Sequence, residues 1–463
     1  MDSPVPIAEH MRRKQLAHAT ASDGQLPMDS DEGLALSFAD KHADSIRYVA
    51  PWAKWMLWDG RKWRADDTLA IFTHVRQHCR EIALRCTKPR ARKIASAATV
   101  AAVERLARAD NRLSMGVEQW DADPLLLNTP GGVVDLRTGA VRQNQAADFI
   151  TRLTGSGPAE SCPLFVQFLE RVTGGDNDLI AFMQRMAGYF LTGSTSAHAL
   201  FFAYGTGANG KSVFAETLAG LLGDYHRSAP IETFTASAGE RHPTDLAGLR
   251  GARLVTSAET EEGRRWAESR IKQLTGGDRI AARFMRQDFF EFIPQFKLFI
   301  TGNHKPELRN VDEAMRRRVH LVPFAVTIPP GDRDDHLVEK LRQEWGGILS
   351  WAINGALTYL KYGLTPPAAV RTATEQYFSS EDALGAWLEE CCDRDPSAAV
   401  RSQDLFASWR AWSEQSGEQP GSNKTLSGRL EARGFPRTHT RQGTCYPGLR
   451  LKSPSRQRGD WTE

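Results

Sequence analysis

A chain of 463 residues is too long for one ordinary hydrophobic core, so two to four domains are expected. With 41% hydrophobic and 25% charged residues it has the composition of a soluble globular protein, and its longest apolar runs, such as 199–203 and 298–300, are far too short for a bilayer span. The net charge of +3 does not by itself announce a polyanionic partner.

The opening MDSPVPIAEHMRRK has neither an apolar core nor a cleavage site, so it is no secretory signal. Cysteines 79, 86, 162, 391, 392 and 445 are scattered, with no paired metal-ligand spacing and no disulfide framework. A reducing cytoplasm is the expected compartment.

Residues 1–30 are polar without periodicity and read as a tail. A helical pattern then leads to Trp52, Trp55, Trp58 and Trp63, where Asp59-Gly60 signals a tight hairpin turn. These tryptophans suit a base-stacking platform or, more commonly, packed hairpin aromatics. Residues 67–110 read as two helices, the second after Lys88-Pro89, with His74 and His78 four apart on one face. Such a pair can bind metal, but without a third ligand nearby a surface or half-buried pair is the better reading. A second hairpin-like segment spans 129–141 and closes an accessory domain at 31–160.

Helical spacing returns over 163–191, and strands then alternate with helices from 199 to about 323, the pattern of a parallel α/β sheet. A helical stretch at 334–362 ends near Pro366-Pro367, and 453–463 reads as a tail. Three local basic clusters, 88–93, 316–318 and 450–458, read first as solvated charged faces.

The strongest chemical signal is Gly205-Thr206-Gly207-Ala208-Asn209-Gly210-Lys211-Ser212, followed by Val213. It follows an apolar strand and opens a helix, the context in which glycine-rich backbone amides cradle phosphates. Lys211 would reach the β- and γ-phosphates of ATP, and Ser212 would ligate Mg²⁺. A carboxylate ending the strand 253–259, Glu259, can hold the Mg²⁺ shell and orient or deprotonate the attacking water, with Glu261 and Glu262 as weaker candidates. The strand 296–301 ends at Gly302-Asn303, where the Asn303 amide can hydrogen-bond the γ-phosphate or lytic water, although asparagine there is also a common turn-former. Next come Arg316, Arg317 and Arg318, the residue type that stabilises charge on a transferring phosphoryl group. Between Glu259 and Asn303, Lys272, Arg283 and Arg286 flank or occupy a predicted hairpin with its tip at 286–288, a form suited to a nucleic-acid backbone.

In order and spacing, GTGANGKS, VTSAETEEG, IKQLTGGDRIAARFM, FKLFITGNHKP and RRRVHLVPF resemble the motifs of superfamily 3 helicases, and most closely the helicase half of the phage and plasmid primase–helicase family. The resemblance runs from about residue 31 to 452. It implies an AAA+ P-loop ATPase core in a homo-hexameric ring, with nucleotide between subunits. By position it makes Lys211 and Ser212 Walker A, Glu259 Walker B, Asn303 sensor 1, Arg318 the best match to the arginine finger with Arg317 second, and Arg286 the hairpin tip. Relatives often place lysine at that tip, and some carry paired acids on the Walker B strand. Since no polymerising domain precedes residue 31, primer synthesis by this chain is not expected, and a separate primase or replication initiator is a possible partner.

The expected fold is α/β: a motor with a preceding helical collar at 161–365, the N-terminal α/β accessory domain, and a C-terminal winged-helix-like domain at 380–452. In that last domain 401–414 and 424–434 read as helices and 440–451 as the wing. A winged module would set Lys424, Arg429 and Arg433 on or near a major-groove helix, and a purely structural cap is nearly as good a reading. The expected function is ATP-driven unwinding of DNA, on single-stranded and forked substrates, in replication of a phage, plasmid or integrated element. An ATP-regulated origin-binding platform is the rival. A small-molecule P-loop kinase is disfavoured by the arginine run and the hairpin.

Overall fold

The computed structural model describes residues 29–236, 244–259, 263–286, 288–308, 311–416, 419–440 and 443–452, with Glu259 described by its backbone alone. Helix α1 (Asp31–His42) begins where the Ser30 hydroxyl accepts the Gly33 amide and Asp31 and Glu32 meet the positive end of the helix dipole. A meander follows: β1 (Ile46–Val49), β2 (Lys54–Trp58) and β3 (Trp63–Ala65). Its tight turn falls at Asp59-Gly60 as expected; Asp59 Oδ1 accepts the Arg61 and Lys62 amides, and Gly60 takes φ +93°.

The aromatic segment is core. Trp55 and Trp63 are buried, and Trp55 Nε1 donates to Glu104 Oε1 at 2.7 Å. Three helices follow where two were expected: α2 (Ala70–Ala83), α3 (Lys88–Ile94) and α4 (Ala97–Ala107). The Ser96 hydroxyl caps Thr99 and starts a new helix. Of the histidine pair, His78 is buried against Phe38 and His74 lies beside His42, and the described residues contain no metal-binding group. A second meander, β4 (Leu126–Thr129), β5 (Gly132–Asp135) and β6 (Val141–Arg142), completes this region. Its buried Leu127, Val134 and Leu136 belong to the core of the sheet described next, so the two units share apolar surface.

Helices α5 (Pro163–Thr173) and α6 (Asn177–Leu191) lead to the central unit. It runs β7 (Leu200–Tyr204), α7 (Lys211–Leu222), β8 (His226–Ser228), α8 (Thr244–Ala247), β9 (Leu254–Glu259), α9 (Glu268–Gly276), β10 (Ile280–Ala282), β11 (Phe290–Phe292), β12 (Lys297–Gly302), α10 (Glu313–Arg316) and β13 (Val319–Pro323). Five strands form a parallel sheet in the order β13-β7-β12-β9-β8, while β10 and β11 make a separate hairpin. Continuous apolar runs such as Leu200–Ala203 are what a sheet covered on both faces requires.

The stretch expected as one helix is two, α11 (Leu337–Gln343) and α12 (Trp345–Tyr362). The junction residue Glu344 turns its carboxylate onto the α5 N-terminus, accepting the Leu164 and Phe165 amides at 3.1 and 2.9 Å. Helix α13 (Ala368–Ser380) lies against β13; Trp266 Nε1 donates to the Tyr377 hydroxyl, which donates to the Pro306 carbonyl. The stretch that the sequence leaves between domains is therefore packed on the sheet. Around Trp387, Trp409, Leu430 and Tyr446 folds the C-terminal unit: α14 (Ala383–Cys391), β14 (Cys392–Arg401), α15 (Ser402–Gln415), α16 (Asn423–Ala432), β15 (Thr438–Thr440) and β16 (Gly443–Leu451). Its antiparallel sheet has the order β14-β16-β15. No helix among the described residues is long and apolar enough to cross a membrane.

Two buried cations fasten the sheet to α6. Arg253 donates to the Leu191 carbonyl at 2.5 Å and the Leu126 carbonyl at 2.7 Å, with its guanidinium over the Tyr225 ring. Lys297 donates to the Thr192 and Gln295 carbonyls, and burial holds its pKa well below the usual lysine range. Both serve carbonyls left over at a helix C-terminus, where positive charge is favoured. Replacing Arg253→Met would orphan the Leu191 and Leu126 carbonyls, costing about 2–4 kcal/mol. Calorimetry should show a melting temperature lower by roughly 5–10 °C; an unchanged value refutes this role.

Candidate nucleotide-binding site

Register sets the site. Gly302 at the end of β12 lies opposite Tyr204 on one side and Glu259 on the other, and Pro323 of β13 lies opposite Tyr204. Four strands thus end level, and the loops leaving them meet at one edge of the sheet, where open parallel sheets bind ligands. Glu259 ends β9 as expected, while Glu261 and Glu262 lie outside the described residues.

The loop between β7 and α7 turns its backbone with positive φ at Gly207, Ala208 and Gly210, the conformation that points successive amides inward. Buried Asn209 anchors it from beneath, donating to the Phe324 carbonyl at 3.0 Å and accepting from Lys211. Gly205 must be glycine for a steric reason: a Cβ there would sit 2.1 Å from Asn209 Nδ2 and 2.3 Å from the Phe324 carbonyl oxygen. Thr206 reaches Thr327 at 3.3 Å, and Ala208 accepts the Ile328 amide. The loop is tied to the chain after β13 at three places.

Lys211 is 7% exposed, and its ammonium donates to the Gly205 carbonyl, Asn209 Oδ1 and Asn303 Oδ1 at 2.8, 3.0 and 3.2 Å. No carboxylate pairs with it among the described residues, and burial lowers its pKa. A half-desolvated cation held only by neutral oxygens is what an incoming phosphate would stabilise. Asn303 is thereby joined to the loop directly. Ser212 is exposed in the first turn of α7, and half-buried Val213 follows it.

Beside the loop lies a cavity of about 460 Å³ lined by Val172, Asp176, Tyr204, Pro323, Ala325 and Thr372, among others. Val172 borders Gly210 and Tyr204 precedes Gly205, so cavity and loop are continuous. Its volume falls in the range of small-ligand pockets. The sequence carries no local signal for it, because its walls come from α5, β7, β13 and α13.

The arginine run divides by exposure. Arg318 is buried, with Nε donating to Thr275 Oγ1 at 3.2 Å and a terminal nitrogen to the Ala314 carbonyl at 2.8 Å. Arg316 lies over the Phe378 ring. Arg317 is exposed and makes no ion pair among the described residues. Sequence ranks Arg318 above Arg317; exposure favours Arg317 for reaching outward. Since Val319 lies opposite Leu200, these arginines sit at the sheet edge opposite the loop, roughly 15 Å from it at about 3.3 Å per strand residue.

The β10–β11 hairpin presents exposed Phe284, Met285 and Phe289, with Arg286 at φ +61° in its turn and Arg283 over the Phe289 ring at 4.8 Å. Gln287 lies outside the described residues. Lys272 is held elsewhere, in an ion pair with Asp312, the N-cap of α10. In the C-terminal unit Lys424 is exposed on α16, whereas Arg433 pairs with Asp382.

Comparison with known proteins adds two matching families: D5 N terminal like over residues 35–174, and a family of unknown function (DUF5906) over residues 203–318. "Putative helicase L207/L206" of Acanthamoeba polyphaga mimivirus is 26% identical over 73% of this chain and 38% of its own length. "Putative helicase 022R" of Frog virus 3 is 28% identical over 50% of this chain and 26% of its own length. The chain thus spans well under half of these curated relatives. The solved A-form apo structure of the NrS-1 C-terminal region superposes with a TM-score of 0.50 at 8% identity, covering 91% of this chain and 100% of that one, a likeness of fold.

Gly205→Ala should weaken binding of a fluorescent ATP analogue at least tenfold, since its Cβ has no room. Gly207→Ala, which meets open space and only backbone strain of ~1–2 kcal/mol, should lose less. Wild-type affinity in Gly205→Ala would refute the cradle.

Proposed function

We propose that the chain is an ATP-dependent, ring-forming DNA helicase acting in replication, built on an AAA+ motor and related to the C-terminal parts of phage-type primase–helicases, a reading supported by the two matching families and the putative helicases it resembles. The observation that carries this reading is the hydrogen bond from Lys211 to Asn303, just past a strand whose other neighbour ends in Glu259. Phosphate-binding cation, polar amide and carboxylate position thus share one edge of the sheet.

In this reading the 205–213 loop holds the β- and γ-phosphates, and the adjoining cavity takes the nucleoside. Ser212 and Glu259 would hold Mg²⁺, which neutralises phosphate charge when bound. Glu259 orients and deprotonates water for attack on the γ-phosphorus, and Asn303 hydrogen-bonds that water or the γ-phosphate. Lys211 moves from its resting oxygens to the phosphates. The outward arginine serves the neighbouring subunit's nucleotide; we assign reaching to Arg317 and holding to Arg318, which anchors the turn through Thr275. Exposed rings at the hairpin suit stacking of bases, and Arg286 suits phosphate. The C-terminal unit is read as the winged-helix-like DNA-binding module, with Lys424 outward.

The deciding experiment measures ATP hydrolysis and forked-DNA unwinding. Lys211→Ala should abolish both, and Arg286→Ala should keep near-normal basal hydrolysis while losing DNA stimulation and strand separation. ATP turnover without unwinding in the wild-type protein would favour the origin-binding platform instead. Unwinding by Arg286→Ala at the wild-type rate would remove the hairpin from the mechanism.

Mixing Arg317→Ala with Lys211→Ala protein should restore part of the ATPase activity, because mixed interfaces combine an intact loop with an intact arginine. Arg318→Ala should instead lower the melting temperature. Failure to recover activity in verified mixed rings would rule out Arg317 as the trans residue.

A further inference from the structure

One charged surface has no part in the motor reading. Residues 76–93 contain seven bases and a single acid, twice the chain's entire formal excess of +3, so the rest of the chain is net acidic. The segment folds as the outer half of α2, the connecting turn and α3, two helices that pack together. Arg76 and Arg80 are one helical turn apart on α2, opposite its buried Val75, His78 and Cys79. Lys88 and Arg92 are one turn apart on α3, with Arg85 between the helices and Lys93 beside them. All six are exposed. Among the described residues none of the six takes part in an ion pair; the seventh base, Arg90, pairs with Asp29, and the one acid, Glu81, is taken by Lys41.

Unpaired like charges on rigid helices repel one another, and a polyanion removes that cost. Most of these bases are arginines, whose planar forks match phosphate. No exposed aromatic ring accompanies them: Phe72 packs partly buried against the domain core. A surface with charge and no stacking platform fits the dense phosphate rows of a duplex better than the bases of a single strand.

We propose that the α2–α3 face of the N-terminal region is a sequence-independent binding site for the backbone of duplex DNA, separate from the hairpin and from the C-terminal unit. The inference rests on the DNA-directed reading of the protein but on no step of ATP hydrolysis. The face would hold parental duplex while the motor works on a strand, through phosphate contacts that release counterions.

The test uses the full chain without nucleotide and a fluorescently labelled 30-base-pair duplex of arbitrary sequence, read by anisotropy over a salt series. The combined variant Arg76→Gln, Arg80→Gln, Lys88→Gln, Arg92→Gln should bind at least tenfold more weakly. Its log–log salt slope should be shallower by roughly 2–4, at ~0.9 per lost contact. Its melting temperature should match the wild type, because these exposed side chains make no ion pair or hydrogen bond among the described residues. Arg76→Lys, Arg80→Lys, Arg92→Lys should retain binding. Duplex affinity and salt slope equal to wild type in the glutamine variant overturn the proposal, and so does a loss confined to single-stranded DNA. Lys211→Ala should bind duplex normally, so a failure of the motor reading would leave this result standing and distinguishable.

Discussion

The placement of β12 between β7 and β9 is the constraint on which the site depends. Without it, the strand leading to the Lys211 loop and the strand ending in Glu259 would be neighbours, with no amide between them. With it, Gly302 aligns with both Tyr204 and Glu259, and Asn303 emerges where its oxygen meets the Lys211 ammonium. The opposite edge of the sheet is closed by buried Arg253 and Lys297, which consume the carbonyls ending α6. Both edges hold basic side chains on neutral oxygens, but Arg253 and Lys297 bond main-chain carbonyls inside the core, whereas Lys211 stands in the loop beside an open cavity. That asymmetry lets a rigid scaffold present a responsive end.

Helix α9 links the features that would face DNA to those that would face a neighbour. Its Thr275 hydroxyl accepts from Arg318, its Lys272 pairs with Asp312, and its Thr275 carbonyl meets His198 Nδ1 at 2.9 Å. Gly277 at φ +82° then turns the chain into β10. The hairpin is thus mounted on a helix fastened to the arginine turn. A shift of that turn would carry the hairpin base with it, without any long flexible connection.

What could be read from sequence follows from which physics is local. The glycine-rich loop between β7 and α7 is legible because its backbone turns demand glycine and the strand–loop–helix context leaves a pattern at fixed spacing. Strand-end placement of Glu259 and Asn303 was legible for the same reason. Which of Arg317 and Arg318 is exposed is not legible, because burial of adjacent residues at a helix–strand junction depends on Thr275, over forty positions away. Lys272 reads as a free base until Asp312 folds beside it. Strand β14 escaped notice because its charged sequence and Pro396 lack alternation, a feature the structure accommodates with a register shift between Asp395 and Ala399. The single helix expected over 334–362 breaks because Glu344 serves a distant helix end.

The N-terminal region is held to the central unit by more than apolar contact. Lys62 pairs with Asp224, the Asn128 amide donates to the Tyr225 hydroxyl at 3.1 Å, and Arg152 donates to the Arg250 carbonyl at 3.0 Å. Arg250 itself lies over both Trp52 and Phe290, joining the N-terminal aromatics to the hairpin. These ties are distributed over the β2–β3 turn, β4 and the loop before α5, so pivoting about any one would break the others. A ligand held on this region would consequently be fixed relative to the 205–213 loop. If the proposed helicase activity holds, such a fixed point would turn a local movement at the hairpin into work on the duplex.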